Sequence, residues 1–209
     1  MTPGVEDGSA GRTCPRAPEL LERAVSYALD SVASVRPALM RRPTPCRGWD
    51  LDALLSHACE SVEALEEAIA TGRVSLAAAA APSGLRGNAA LVFARRAVAL
   101  VETWSRARPQ PVLVGGCELA AGLLAEAAAL EIAVHGWDIF QASGDERPIP
   151  APLARDLAVI APTLVTEADR GVLFARPVAV GTTASPSEQL TAFLGRAPSS
   201  CRGPRRLAS

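Results

Sequence analysis

The chain contains two histidines, His57 and His135, and His135 lies four residues after Glu131 in an alanine-rich run. Residues four apart on an α-helix leave the same face one turn apart, so Glu131 and His135 can act together. If the helix that carries His57 packs beside this one, the three side chains can converge in the core. Two imidazoles and one carboxylate are a typical ligand set for a catalytic divalent metal, and they leave a coordination position for water or substrate.

Simpler interpretations stay open on spacing alone. A Glu-x-x-x-His pair is often a surface pair worth about 0.2–0.5 kcal/mol, and a lone histidine on an apolar face is usually a hydrogen-bonded core residue. Glu131, however, stands in the otherwise apolar segment AAALEIAVHGW, where an unpaired carboxylate is costly. Gly136 costs a helix about 1 kcal/mol relative to alanine, which indicates the close approach of a substrate or of a neighbouring helix.

Periodic apolar residues predict the helices that position these side chains. The predicted helices cover residues 18–36, 51–71, 88–106, 117–143, 152–170 and 186–195. Asp50 and Ser185 are predicted N-caps, Gly72 and Gly144 end two helices, and Pro162 kinks or breaks the fifth. Residues 75–88 are predicted to form a loop or frayed turn, 109–116 an extended link and 177–180 a brief strand.

This pattern predicts an all-α fold: an antiparallel four-helix bundle with a short helical C-terminal extension. We expect one domain over residues 17–197. Residues 1–16 and 198–209 are rich in Pro, Gly, Ser and Arg and lack an apolar period, so flexible tails are expected there.

The composition excludes several classes of protein. A net charge of −1 gives no reason to expect binding to nucleic acid or to an acidic membrane surface. The five cysteines form no C-x-x-C pair, which argues against a disulfide framework or a zinc knuckle. No signal peptide or membrane span is evident, so a cytoplasmic protein is expected. The absence of lysine, with abundant Ala, Gly and Pro, indicates a GC-rich genome such as that of an actinobacterium.

Two motifs together resemble a known family. The segment PTPCRGWDLDALLSHACE (residues 43–60) resembles the T-P-C-x-x-W-x-x-x-x-L-x-x-H stretch of the mycothiol-dependent maleylpyruvate isomerase N-terminal domain family, one of the DinB/YfiT-like metal-binding bundles. The segment EIAVHGWDIFQASGDERPIP (residues 131–150) is similar to that family's E-x-x-x-H-G-W-D-x-x-x-A-x-G segment, and the C-terminal end resembles single-domain members. The resemblance covers nearly the whole chain.

The resemblance implies a DinB-like bundle with a metal site, commonly zinc, whose ligands fall on His57, Glu131 and His135. It implies a divalent-metal-dependent enzyme that activates a low-molecular-weight thiol such as mycothiol for S-transfer to, or isomerisation of, a small electrophile. The resemblance does not extend to the further C-terminal domain of the maleylpyruvate isomerases, so a substrate other than maleylpyruvate is expected.

Alternative functions stay open at the level of the sequence. They are a metal-dependent lyase, hydrolase or cyclase that uses no thiol, and a non-catalytic helical binding module. The expected partners are a small-molecule substrate and a low-molecular-weight thiol, and a homodimer is left open.

Other residues near the two motifs have more than one possible role. Trp49 and Trp137 flank the ligand segments and could line the mouth of a pocket, although core packing is the commoner role. Asp138 is predicted to hydrogen-bond an imidazole ligand from outside the coordination sphere, unless it begins a solvent-facing stretch. Cys59 is predicted to be a core thiol, whereas Cys46 could approach the site.

Overall fold

The computed structural model describes residues 17–74, 88–106, 110–171 and 173–197 of the chain. The described part is predominantly helical, as predicted. Its α-helices are α1 (Ala17–Ala33), α2 (Leu51–Thr71), α3 (Ala89–Arg106), α4 (Ala121–Ser143), α5 (Ala151–Leu164) and α6 (Pro186–Phe193). The predicted tails and most of the predicted loop at 75–88 lie outside the described residues, and the single domain over 17–197 stays a prediction.

Contacts between the four longest helices form a ring. Helix α1 packs against α3 and α4, and α2 packs against the same two helices. Four helices around one core produce this pattern. Fully buried apolar side chains fill the space between them, the largest being Phe93, Phe140, Leu21, Leu51, Leu54, Leu55, Leu100 and Ile139. Helix α4 is buried on several sides because it also contacts α5, which places His135 in the interior.

Local capping signals start α2 and α6 where the sequence predicts. The Asp50 side chain accepts a hydrogen bond from the backbone N–H of Ala53 at 3.0 Å, which confirms it as the N-cap of α2. Ser185 caps α6 and Pro186 occupies its first position. Helix α1, in contrast, ends at Ala33 rather than near Arg36, because Arg36 precedes a proline and is extended.

A small sheet replaces the predicted start of the fourth helix. Residues 117–119 form a strand, β3 (Cys117–Leu119), antiparallel to β2 (Val112–Val114), which in turn runs parallel to β1 (Arg73–Val74). Gly115 and Gly116 both have positive φ, 56° and 86°, which suits a two-residue hairpin turn and turns the chain back on itself. Helix α4 therefore begins at Ala121.

Two further local predictions were wrong in part. Helix α5 continues through Pro162 to Leu164, and the expected helical residues 167–169 form a separate 3₁₀ turn (Glu167–Asp169). Thr166 starts this turn by donating hydrogen bonds from its backbone N–H and its hydroxyl to the Asp169 carboxylate, both at 2.7 Å. Residues 177–180 form no strand; within this segment the backbone N–H of Val178 donates to the carbonyl of Ala192 in α6 at 2.9 Å.

Gly136 lies at the crossing of α1 and α4. A Cβ there would lie 3.1 Å from Cα of Ala28 and 3.3 Å from Cδ1 of Tyr27. The missing side chain thus serves helix–helix packing, one of the two roles predicted for it.

We expect Gly136→Val to destabilise the protein by about 1–3 kcal/mol, since the added methyl groups would overlap α1. Urea unfolding followed by circular dichroism measures this. Gly122→Ala in the same helix is the matched control, because a Cβ there meets nothing within 4 Å. An equal unfolding midpoint for Gly136→Val and wild type would contradict the close packing of α1 against α4 at Gly136.

Candidate metal centre

The packing of α2 against α4 brings His57, Glu131 and His135 together. Each of the three offers a ligand atom, and these atoms all lie within 4.8 Å of one another. Nε2 of His57 is 3.3 Å from Oε1 of Glu131, and the two imidazole rings meet edge to face with centroids 5.2 Å apart. The side chains that the sequence pairs by spacing on α4 therefore face the single histidine of α2.

Glu131 carries a negative charge at neutral pH. Desolvation raises the pKa of its carboxyl group, but hydrogen bonds from His57 and Ser61 and the charge of His135 outweigh it and hold the pKa at about 2. The Ser61 hydroxyl, one turn after His57 on α2, donates its hydrogen bond to Oε1 of Glu131. Both Glu131 and His57 stay in contact with solvent, with 41% and 35% of their side chains exposed.

Asp138 lies behind His135, as predicted for an outer hydrogen-bond partner. Its fully buried carboxylate places Oδ2 3.2 Å from Nδ1 of His135. Burial raises the pKa of Asp138, but the guanidinium of Arg196 and the bond to His135 lower it to about 2. An ionised carboxylate can only accept hydrogen bonds, so Nδ1 of His135 is the donor of this bond.

Cys46 contacts the same carboxylate. Its Sγ donates to Oδ2 of Asp138 at 3.1 Å and lies 3.9 Å from Nδ1 of His135. Burial, followed by the negative charge of Asp138, raises the pKa of the thiol to about 12, so it is protonated at neutral pH. Cys46, His135 and Asp138 could by distance form a second ligand set. Arg196 already supplies a positive charge there, 2.8 Å from Oδ2 of Asp138, and would repel a cation.

The two tryptophans differ in position. The indole of Trp49 lies against both imidazoles, with ring centroids 4.7 Å from His57 and 6.5 Å from His135. It therefore covers one side of the centre. Trp137 is buried in the main core, which agrees with the commoner of the two predicted roles. Cys59 is buried too and donates to the backbone carbonyl of Ala89 at 3.4 Å.

Arg196 is the main residue near the centre that sequence reasoning missed. It follows α6 by three positions, 58 residues after Asp138, and no spacing rule links the two. An isolated arginine after a short helix resembles any solvated basic residue. Its burial and its bond to Asp138 depend on the packing of α6 against α5, which in turn contacts α4.

The donor set fits a divalent metal of the kind the sequence predicts. Two imidazoles and a carboxylate suit Zn²⁺, and three protein ligands leave a position for an incoming ligand, as in catalytic rather than structural zinc sites. The partial exposure of Glu131 and His57 gives that ligand a route from solvent. The hydrogen bonds from Ser61 to Oε1 of Glu131 and between Nδ1 of His135 and Asp138 resemble the outer support that orients metal ligands.

The structure defines a predominantly helical protein with a candidate His–Glu–His centre, and comparisons with known proteins name its family. The model of the mycothiol maleylpyruvate isomerase N-terminal domain family matches residues 21–140, more than half of the chain. The chain belongs to this family. All three candidate ligands lie inside the matched region.

A solved structure supports the fold. The crystal structure of the mycothiol-dependent maleylpyruvate isomerase is similar over 70% of this chain and 68% of its own, with a TM-score of 0.54 and 16% sequence identity. Curated protein sequences show no match to the chain. Among the described residues, no helix combines the length and apolar character needed to cross a membrane.

Proposed function

We propose that this protein is a divalent-metal-dependent enzyme that activates a low-molecular-weight thiol, of the mycothiol type, toward a small electrophile. The reaction is transfer of the thiol to the electrophile, or its isomerisation by addition and elimination of the thiol. Membership of a family named for mycothiol and maleylpyruvate isomerase supports the thiol and the enzyme class.

The observation that carries the proposal is the convergence of His57, Glu131 and His135 at a position that solvent reaches. Their ligand atoms lie within 4.8 Å of one another, so a single ion can contact all three after small side-chain adjustments. A purely structural site would gain nothing from an open position. The exposed part of the centre is where the thiol and the electrophile would enter.

The surrounding residues hold these donors in the states that binding requires. Asp138 accepts a hydrogen bond from Nδ1 of His135, which would leave Nε2 to bind the metal. Ser61 holds Oε1 of Glu131 by a hydrogen bond. Trp49 lies against both imidazoles, where it limits their rotation and excludes water from one side.

These residues would hold a divalent metal, Zn²⁺ in the first instance, which would lower the pKa of a thiol from about 8.5 and so make the nucleophilic thiolate available at neutral pH. The protein's own Cys46 is not the nucleophile in this proposal. Its pKa of about 12 keeps the thiol protonated, and its hydrogen is held by Asp138.

Cobalt substitution tests the thiol directly. We expect the Co²⁺-loaded protein to develop a thiolate-to-cobalt charge-transfer band when mycothiol is added, because the open position accepts the sulfur. Cys46→Ser is the matched variant: it retains the band if the sulfur comes from the added thiol rather than from the protein. His135→Ala should show no band.

Turnover distinguishes the proposal from its alternatives. With the zinc protein and a panel of small α,β-unsaturated acids, consumption or isomerisation of the electrophile should require added thiol. Thiol-independent turnover would favour a lyase, hydrolase or cyclase that uses the same centre. Absence of both the charge-transfer band and turnover would overturn the thiol proposal and favour a binding module.

A further inference from the structure

Arg196 connects the C-terminal segment to the candidate metal centre. Its guanidinium is buried and donates from Nε to Oδ1 of Asp138 at 3.2 Å and from Nη2 to Oδ2 at 2.8 Å. Oδ2 of the same carboxylate lies 3.2 Å from Nδ1 of His135. Both carboxylate oxygens are therefore engaged by one rigid cation, which leaves the group a single orientation toward the imidazole.

The backbone conformation and hydrogen bonds around Arg196 hold its side chain in place. Gly195 has a φ of 81°, and a Cβ at that position would lie 2.6 Å from the backbone oxygen of Ala175, so only glycine fits. The backbone N–H of Arg196 donates to the carbonyl of Thr191 at 2.9 Å, and Nη1 donates to that of Leu194 at 3.2 Å. The end of α6 thus holds both the backbone and the guanidinium.

We propose that Arg196 is a positioning residue of the metal centre: it fixes the Asp138 carboxylate on Nδ1 of His135 so that Nε2 faces the metal. The inference rests on the proposed metal centre and extends it to a segment outside residues 21–140, the region that the family model matches. Helix α6 and residues 194–197 are, in this proposal, part of the site.

Arg170 offers a matched control for the alternative that Arg196 only anchors the C-terminal segment. Its Nη1 donates to the carbonyls of Phe193 at 2.9 Å and of Ala175 at 3.2 Å, and its guanidinium stacks 4.7 Å from the Phe193 ring. It therefore anchors the same segment without a bond to Asp138. If Arg196 acted only as an anchor, loss of Arg170 would disturb the centre equally.

Zinc affinity, measured by competition with a chromophoric chelator, tests the proposal. We expect Arg196→Ala to weaken zinc binding by about 10–100-fold, the usual effect of losing an outer partner of a metal ligand. Arg170→Ala should bind zinc as wild type does, at a temperature where both variants are folded. Arg196→Lys keeps the positive charge but cannot donate to both oxygens of Asp138 in the same geometry, so we expect an intermediate zinc affinity. This variant still tests the proposal if Arg196→Ala does not fold.

A second readout needs no metal. The chain has two histidines, so a ¹⁵N–¹H correlation spectrum of the metal-free protein contains only two imidazoles. His135 should carry its proton on Nδ1 in wild type and in Arg170→Ala, and should populate both tautomers in Arg196→Ala. Wild-type zinc affinity or an unchanged tautomer in Arg196→Ala, or equal losses in the two alanine variants, would overturn the proposal.

The outcomes separate this inference from the proposed function. A wild-type protein that binds no zinc would overturn both. Zinc binding in wild type that Arg196→Ala leaves unchanged would overturn only the role of Arg196. Zinc binding that depends on Arg196, together with turnover that ignores added thiol, would support the positioning role and overturn the thiol chemistry.

Discussion

Purified His135→Ala and His57→Ala proteins are expected to contain almost no metal, whereas wild type carries close to one equivalent of zinc. Each substitution removes one of three donors whose ligand atoms lie within 4.8 Å of one another. Loss of an outer hydrogen-bond partner already costs about 10–100-fold in metal affinity, so loss of a ligand should cost at least about 100-fold. Elemental analysis and zinc titration measure the effect.

Two controls give this result its meaning. Ser61→Ala keeps all three donors and removes only the hydrogen bond to Glu131, so we expect a loss of about 10-fold. Cys117→Ser removes an exposed thiol that could collect zinc at the surface, and its zinc content should equal that of wild type. A wild-type protein that stays metal-free after incubation with zinc would contradict the centre.

Asp138→Ala is expected to destabilise the fold by about 3–5 kcal/mol, because it leaves the buried guanidinium of Arg196 without its counter-charge. Removal of both charges in Asp138→Ala/Arg196→Met should recover part of that loss. Glu102→Ala breaks an exposed pair with Arg106 and is the surface control, with an expected cost below about 1 kcal/mol. Urea unfolding of the metal-free proteins provides the comparison.

The same pair predicts how stability depends on pH. The folded-state pKa of Asp138 is about 2, below its ordinary value of 3.8, because the attraction of Arg196 and the hydrogen bonds from His135 and Arg196 together outweigh burial, which raises the pKa. A lowered pKa contributes stability that is present above the ordinary value and is lost as the pH falls from about 4 toward 2. The stability difference between wild type and Asp138→Asn should therefore shrink over that interval. A difference that stays constant would contradict the ion pair.

The sequence predicted most of the helices because their signals are local. The cap at Asp50 and the start of α6 at Ser185 each depend on residues within three or four positions, and the structure confirms both. The segment from Cys117 was assigned wrongly to α4, since its helix propensity competed with pairing to a strand across the Gly115–Gly116 turn. Strand pairing is a tertiary contact that local periodicity does not register.

The sequence by itself determined the donor types of the candidate centre and the pairing of Glu131 with His135, because a four-residue spacing on a helix is a fixed geometry. Its motifs also predicted the family that the comparisons confirm. Only the tertiary structure placed His57 opposite that pair, since the packing of α2 on α4 depends on the whole core. Only the tertiary structure brought Arg196 to Asp138 as well. A contact between residues 58 positions apart depends on the packing of the C-terminal segment, which no local rule of the sequence predicts.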